Sequence, residues 1–123
     1  MFRRFLLSWL SRWYRVTAVR DGFAALKWLQ EGNVPDAVVL DMELPRVSGL
    51  QFLKNIRYSG LFSELPVVAL SSDDAEATRA RCAEFRVDAV FQKPYKPELL
   101  LGAIRAAASR AERPGRPAAL ARA

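Results

Sequence analysis

The stretch Asp36-Ala-Val-Val-Leu-Asp41-Met-Glu-Leu-Pro45-Arg-Val-Ser-Gly49 contains the pattern that decides the fold. Its apolar run, Val38 to Leu40, is continuous and leads directly into the acidic Asp41. Such a run is typical of a strand that is buried on both faces, as in a parallel sheet. A carboxylate after that strand would lie at the edge where open α/β sheets bind ligands. The alternative is that Asp41 only caps the next turn, because aspartate is common in turns.

The composition indicates one globular domain of the α/β class. Of the 123 residues, 51% are hydrophobic and 26% are charged, which are ordinary values at single-domain size. The single cysteine, Cys82, excludes an internal disulfide, and the absence of histidine argues against a zinc cluster. The net charge of +6 arises from arginines in residues 1–15 and 105–123, whereas the body between them is slightly acidic. This distribution disfavours a nucleic-acid interface, which requires a basic face on folded structure.

Amphipathic stretches alternate with short apolar runs along the chain, which predicts parallel strands connected by helices. Helices are predicted near residues 1–13, 23–30, 50–57, 73–85 and 98–108, and strands near 14–19, 38–41, 66–71 and 89–93. The first helix combines aromatic residues with arginines, and packing on the sheet is favoured over contact with a membrane surface. A folded domain is expected over residues 1–112, followed by a flexible tail rich in Arg, Pro and Ala at 113–123.

Polar side chains follow three of the predicted strands at the point where each strand ends. They are Asp41, Ser71 and Lys93. Because parallel strands present their carboxyl ends along one edge of a sheet, we expect these side chains to converge. A carboxylate can act as a nucleophile in phosphoryl transfer, and a lysine with a hydroxyl can stabilise the charge on the transferred group.

These residues together resemble the receiver domains of two-component response regulators. The resemblance is carried by Leu40-Asp41-x-x-Leu44-Pro45-x-x-x-Gly49, Ala69-Leu70-Ser71 and Lys93-Pro94, and it extends from Met1 to about Ala108. It implies a flavodoxin-like, doubly wound parallel sheet with strand order 2-1-3-4-5. It also implies that Asp41 is the phosphoacceptor, Ser71 the switch hydroxyl and Lys93 the ion-pair partner of the phosphoryl group, with a cis bond between Lys93 and Pro94.

The same resemblance implies Mg²⁺ as a cofactor, held by Asp41 and by the backbone carbonyl of Glu43. A sensor histidine kinase or a phosphotransfer protein would supply the phosphoryl group in the cytoplasm. Output would pass to a downstream protein target through direct contacts, and a homodimer stays open as an alternative. No DNA-binding domain is expected in this chain.

Two features of the family pattern are missing from the sequence. The family's first strand, and the Mg²⁺-binding acidic pair at its end, would lie just before Met1, so the metal site is expected to be incomplete and its binding weakened. The sequence leaves open whether it starts at a downstream methionine or has lost the strand. Because this strand is central in the family order, the strands near 14–19 and 38–41 must close up or pair with a partner chain.

A smaller departure lies near the end of the last predicted strand. Val90 stands where the family commonly has an aromatic residue, and the neighbouring Phe91 is expected to face the opposite side of the sheet. An aromatic switch coupled to Ser71 is therefore not expected. Asp73 and Asp74 are predicted to cap a helix and not to replace the missing acids.

Three functions are compatible with the sequence. The motif favours a phosphoacceptor receiver, whereas the missing acids favour a pseudo-receiver that binds proteins and is poorly phosphorylated. The third is an aspartate-nucleophile phosphatase of the haloacid dehalogenase type. That enzyme class requires Asp-x-Asp at the nucleophile, whereas this chain has Asp41-Met-Glu43.

Overall fold

The structure, a computed structural model, describes residues 2–43, 47–110 and 119–122. Its helices are α1 (Phe2–Leu10), α2 (Gly22–Gln30), α3 (Gly49–Arg57), α4 (Ala75–Cys82, followed by a 3₁₀ turn at Ala83–Phe85) and α5 (Pro97–Arg110). Its strands are β1 (Arg15–Ala18), β2 (Ala37–Asp41), β3 (Val67–Ser71), β4 (Ala89–Gln92) and β5 (Ala119–Arg122). The elements predicted from the sequence are present, although α1 ends at Leu10, before the predicted end at Trp13.

The strands form one parallel sheet with the order β1-β5-β2-β3-β4. In this sheet β5 lies between β1 and β2, at the position that the family order gives to its first strand. It pairs with β1, where Leu120 is the register partner of Val16, and with β2, where Ala121 is the partner of Val38. The expectation that β1 and β2 close up against each other or pair with a partner chain is therefore corrected, because β5 of the same chain lies between them. The C-terminal strand supplies the backbone hydrogen-bonding groups that β1 and β2 would otherwise lack.

The same strand corrects the prediction of a flexible tail at 113–123. Residues 119–122 form an interior strand of the sheet, between β1 and β2. The rest of the predicted tail, residues 113–118 and 123, lies outside the described residues.

Helices cover both faces of the sheet, as a doubly wound fold requires. Side chains of β2 alternate between the two faces. Val38 and Leu40 belong to one apolar cluster with residues of α2 and α3. Ala37 and Val39 belong to a second cluster with residues of α1 and α5.

The N-terminal helix packs on the sheet, as predicted. Leu6 and Leu10 of α1 are fully buried in the same cluster as Ile104 of α5. None of the helices in the described part of the chain is long and apolar enough to cross a membrane.

The beginning of α3 lies directly against the loop that follows β2. The backbone N–H of Gly49 donates a hydrogen bond to the carbonyl oxygen of Met42 at 3.3 Å. A Cβ atom on Gly49 would lie 2.6 Å from the Cα of Met42 and 3.0 Å from the carbonyl oxygen of Asp41. Glycine at this position therefore allows α3 to approach the loop that begins at Asp41. Leu44, Pro45 and Arg46 of the sequence motif lie outside the described residues.

A second connection holds the other end of α3. The guanidinium of Arg57 donates from Nε to the carbonyl oxygen of Phe85 at 2.6 Å and from Nη2 to that of Arg86 at 2.9 Å. Arg86 has a positive φ of 52°. Arg57 thus fixes the turn that leads into β4.

Candidate functional site

Three neighbouring strands, β2, β3 and β4, bring the predicted site residues to one edge of the sheet. Asp41 is the last residue of β2 and Ser71 the last of β3, and Lys93 follows β4 directly. Strand pairing continues to this edge, since the N–H of Lys93 donates to the carbonyl oxygen of Ser71 at 2.8 Å. The Nζ of Lys93 lies 2.9 Å from Oδ2 of Asp41. The side chains of Asp41 and Lys93 are 26% and 35% exposed, so the site is open to solvent on one side.

Both carboxylate oxygens of Asp41 accept hydrogen bonds. Oδ2 accepts from Lys93, and Oδ1 accepts from the backbone N–H of Glu43 at 2.9 Å. These two contacts fix the orientation of the carboxylate at the end of the buried strand.

Ser71 is fully buried, and its hydroxyl group is held from two sides. Its Oγ accepts a hydrogen bond from the N–H of Asp73 at 3.1 Å and donates one to Oε2 of Glu43 at 3.1 Å. Within the described residues, Ser71 is therefore linked to Asp41 through Glu43 and Lys93.

The side chain of Glu43 belongs to the site, although the sequence predicts a role only for its backbone carbonyl, as a metal ligand. In the structure its Oε1 accepts hydrogen bonds from the N–H of Ser72 at 2.9 Å and from Nζ of Lys93 at 3.3 Å. The available signal was the spacing Asp-x-Glu, because a turn directly after the strand can bring the second acid back over the sheet edge.

The charges of the site shift two pKa values. Partial burial alone would raise the pKa of Glu43, but hydrogen bonds from Ser72, Lys93 and Ser71 outweigh it and lower this pKa. Partial burial alone would lower the pKa of Lys93, but its interactions with Asp41 and then Glu43 raise it. Near neutral pH the cluster thus contains a charged carboxylate and a charged ammonium group.

The described residues do not fit a magnesium site. No group of three or more His, Cys, Asp or Glu side chains that could hold a metal occurs among residues 2–43, 47–110 and 119–122. The carboxylates of Asp41 and Glu43 both contact the ammonium group of Lys93. Magnesium prefers several oxygen ligands in octahedral geometry, and two carboxylates already paired with a lysine do not provide them.

Of the two neighbouring acids, Asp74 caps α4, as predicted, and accepts the N–H of Ala77 at 3.1 Å. The carboxylate of Asp73 pairs with Arg81 at 3.0 Å, so the prediction that Asp73 also caps the helix is corrected. The bond between Lys93 and Pro94 is cis, as the resemblance implied.

The two residues before the end of β4 face opposite sides of the sheet. Val90 belongs to the cluster that contains α2 and α3, and Phe91 lies against the other cluster. The predicted orientation of Phe91 is confirmed.

Comparison with known proteins identifies the family. The response regulator receiver domain family matches residues 1–105. The chain belongs to this family. The receiver domain is 37% identical over 93 residues to the response regulator MprA of Mycobacterium sp. (strain KMS), which covers 76% of this chain and 39% of that protein.

Solved structures show the same fold. The bacteriophytochrome response regulator RtBRR is 30% identical, with a TM-score of 0.70 over 81% of this chain and 65% of that one. The receiver domain of the sensor histidine kinase PA1611 from Pseudomonas aeruginosa PAO1 is 26% identical. Its TM-score is 0.73 over 88% of this chain and 86% of that one, and its structure contains a magnesium ion in the active site cleft.

The family match confirms the receiver assignment and the flavodoxin-like fold, and it argues against the phosphatase alternative. Accepting a phosphoryl group on aspartate is the general role of this family in two-component signalling. The chain spans about two fifths of the length of the mycobacterial protein.

Proposed function

We propose that this receiver domain accepts a phosphoryl group on Asp41 from a histidine kinase or a phosphotransfer protein in the cytoplasm. The observation that carries the proposal is the contact of 2.9 Å between Nζ of Lys93 and Oδ2 of Asp41, at the ends of neighbouring strands. It supports a carboxylate that is oriented as a nucleophile, with a cation placed beside it.

In the proposed reaction an oxygen of Asp41 attacks the phosphorus atom of a phosphohistidine. A new O–P bond forms while the N–P bond breaks, and its electron pair remains on the imidazole nitrogen, which takes up a proton. Lys93 offsets the negative charge on the phosphoryl oxygens, and the hydroxyl of Ser71 donates a hydrogen bond to one of them. Lys93 and Ser71 would thus assist the transfer through their positions and through electrostatic stabilisation of the phosphoryl oxygens.

The phosphorylated state would be passed on through protein contacts. A phosphoryl group adds up to about two negative charges next to Lys93 and Ser71, which biases the segment after β3 between two arrangements. We propose that α4, β4 and α5 present this change to a downstream target. Leu99 of α5 is 60% exposed on this surface and is available to such a partner.

Intact mass spectrometry after incubation with acetyl phosphate tests the acceptor. The wild-type protein is expected to gain the mass of one phosphoryl group, and Asp41→Asn is expected to gain none. Asp73→Asn is the matched control, because it removes one acid near the site without touching Asp41, and it should be labelled like the wild type. Labelling of Asp41→Asn at the wild-type level would refute the proposal.

A second candidate function is a pseudo-receiver that binds proteins without being phosphorylated. It is favoured by the poor fit of the described residues to magnesium. The same experiment, run with Mg²⁺ and with EDTA alongside a receiver of known activity, separates the two. A wild-type protein that stays unlabelled while the reference receiver is labelled would support the pseudo-receiver.

A further inference from the structure

The carboxylate of Glu43 is surrounded by hydrogen-bond donors from two strand ends. Its Oε1 accepts from the N–H of Ser72 at 2.9 Å and from Nζ of Lys93 at 3.3 Å. Its Oε2 accepts from the hydroxyl of Ser71 at 3.1 Å. A backbone amide, a hydroxyl and an ammonium group therefore converge on one small anion.

This set of donors is complementary to a phosphate or phosphoryl group. Such a group has three outward oxygens that each need a donor or a cation. Lys93 contacts Glu43 and Asp41 with the same ammonium group, so the carboxylate of Glu43 occupies space directly beside Asp41.

We propose that Glu43 is an internal occupant of the anion-binding position beside Asp41, and that an incoming phosphate or phosphoryl group must displace its carboxylate. The part that concerns the phosphoryl group rests on the proposed acceptor role of Asp41. The part that concerns free phosphate does not.

The structure also indicates how strong this competition is. The side chain of Glu43 is 40% exposed, so its ion pair with Lys93 is screened by solvent. Each of its three polar contacts is worth a few-fold in an equilibrium constant at this exposure, and together they weaken anion binding by about tenfold. Displacement is therefore reversible, and phosphorylation is slowed without being abolished.

The contact has a second consequence for the segment after β3. Glu43 holds Ser71 and Ser72 with the same type of hydrogen bonds that a bound phosphoryl group would accept. The protein without a ligand thus keeps this segment in the arrangement that an anion would stabilise. The change on phosphorylation would then be smaller than in a site without an internal carboxylate.

Titration with inorganic phosphate, followed through the amide NMR signal of Ser72, tests the occupancy directly. Glu43→Gln and Glu43→Ala remove the charge, and both are expected to bind phosphate about tenfold more tightly than the wild type. Glu76→Gln is the matched control, because Glu76 is exposed on α4 and its ion pair with Arg79 is long, at 3.9 Å. Its affinity for phosphate should equal that of the wild type.

Equal or weaker phosphate binding by both Glu43 variants would overturn the proposal, because it would show that Glu43 does not compete with anions. The amide spectrum of each variant reports at the same time whether the fold is kept, and Glu43→Gln preserves the shape of the side chain.

The initial rate of labelling by acetyl phosphate, measured on the same proteins, connects the contact to phosphorylation. It is expected to rise about tenfold in Glu43→Gln and to stay unchanged in Glu76→Gln. An unchanged rate in Glu43→Gln would overturn the proposal for the phosphoryl group. If no protein is labelled, the acceptor role of Asp41 fails, and the phosphate titration still decides whether Glu43 occupies the anion position.

Discussion

Replacement of Gly49 by alanine tests the close contact between α3 and the loop that carries the site. The new Cβ would lie 2.6 Å from the Cα of Met42, whereas an ordinary contact begins at 3.4 Å. The helix and the loop would have to separate by roughly 0.8 Å, because the closest atom belongs to the backbone and a turn of the Met42 side chain cannot relieve the clash. Forced overpacking of this kind costs about 1–3 kcal/mol.

Gly102→Ala provides a control with the same chemical change. Gly102 lies on the exposed side of α5, and a Cβ there would meet no atom within 4 Å apart from its chain neighbours and the adjacent helix backbone. Alanine in an exposed helix interior is about 1 kcal/mol more favourable than glycine. The two variants are therefore expected to change the free energy of unfolding in opposite directions.

Urea denaturation followed by circular dichroism measures both effects. With a slope of about 1–3 kcal/mol/M, the midpoint of Gly49→Ala should fall by about 1 M and that of Gly102→Ala should rise by about 0.5 M. Gly49→Ala should also shift the amide NMR signal of Glu43, since the carbonyl of Asp41 is the second atom in the clash. A midpoint for Gly49→Ala at or above the wild-type value would refute the described approach of α3.

Three further predictions concern other residues. Arg57→Ala removes two short hydrogen bonds to the carbonyls before β4. It should therefore lower the free energy of unfolding by about 2 kcal/mol, which corresponds to a fall in Tm of roughly 8 °C. An unchanged Tm would contradict the role of these hydrogen bonds. Burial raises the pKa of Cys82. Its thiol should therefore react slowly with a disulfide reagent in the native protein and rapidly in urea. Fast labelling of the native protein would contradict the burial of Cys82. The pKa of Glu43 is lower in the folded protein than the ordinary glutamate pKa. The carboxylate therefore contributes fully to stability above the ordinary pKa, and this contribution is lost as the pH falls through the lowered pKa of the folded state. The stability difference between wild type and Glu43→Gln should shrink on acidification, and a difference that does not depend on pH would contradict this prediction.

The sheet and the main site residues could be predicted because their signals are local. The run Val38 to Leu40 is buried as a continuous apolar strand, and the polar residues at strand ends lie at one edge of a parallel sheet. Asp41 and Lys93 meet because of this geometry, although they are far apart in sequence.

Two features could not be predicted, for different physical reasons. The contacts of Glu43 depend on the conformation of the turn after β2. The spacing Asp-x-Glu allows the second acid to return over the sheet edge, but it does not fix the direction in which the side chain points. The segment Ala119–Arg122 is rich in alanine, which is depleted in strands, and it pairs only because β1 and β2 leave a gap between them. Tertiary context, and not local propensity, decides its structure.

The position of β5 also leads to an expectation about the order in which the sheet folds. β2, β3 and β4 follow one another along the chain and pair directly, whereas β1 joins the sheet only through a strand that lies almost the whole described chain away. Pairing over such a distance is slow, because the entropy of closing a long loop opposes it before any contact is gained. The strands β2, β3 and β4 can pair before β1 and β5 do, and their ends carry Asp41, Ser71 and Lys93. We therefore expect the site to assemble early and to persist while the β1–β5 half of the sheet opens. Native-state hydrogen exchange should then show two zones of different protection, and uniform protection across the sheet would contradict this expectation.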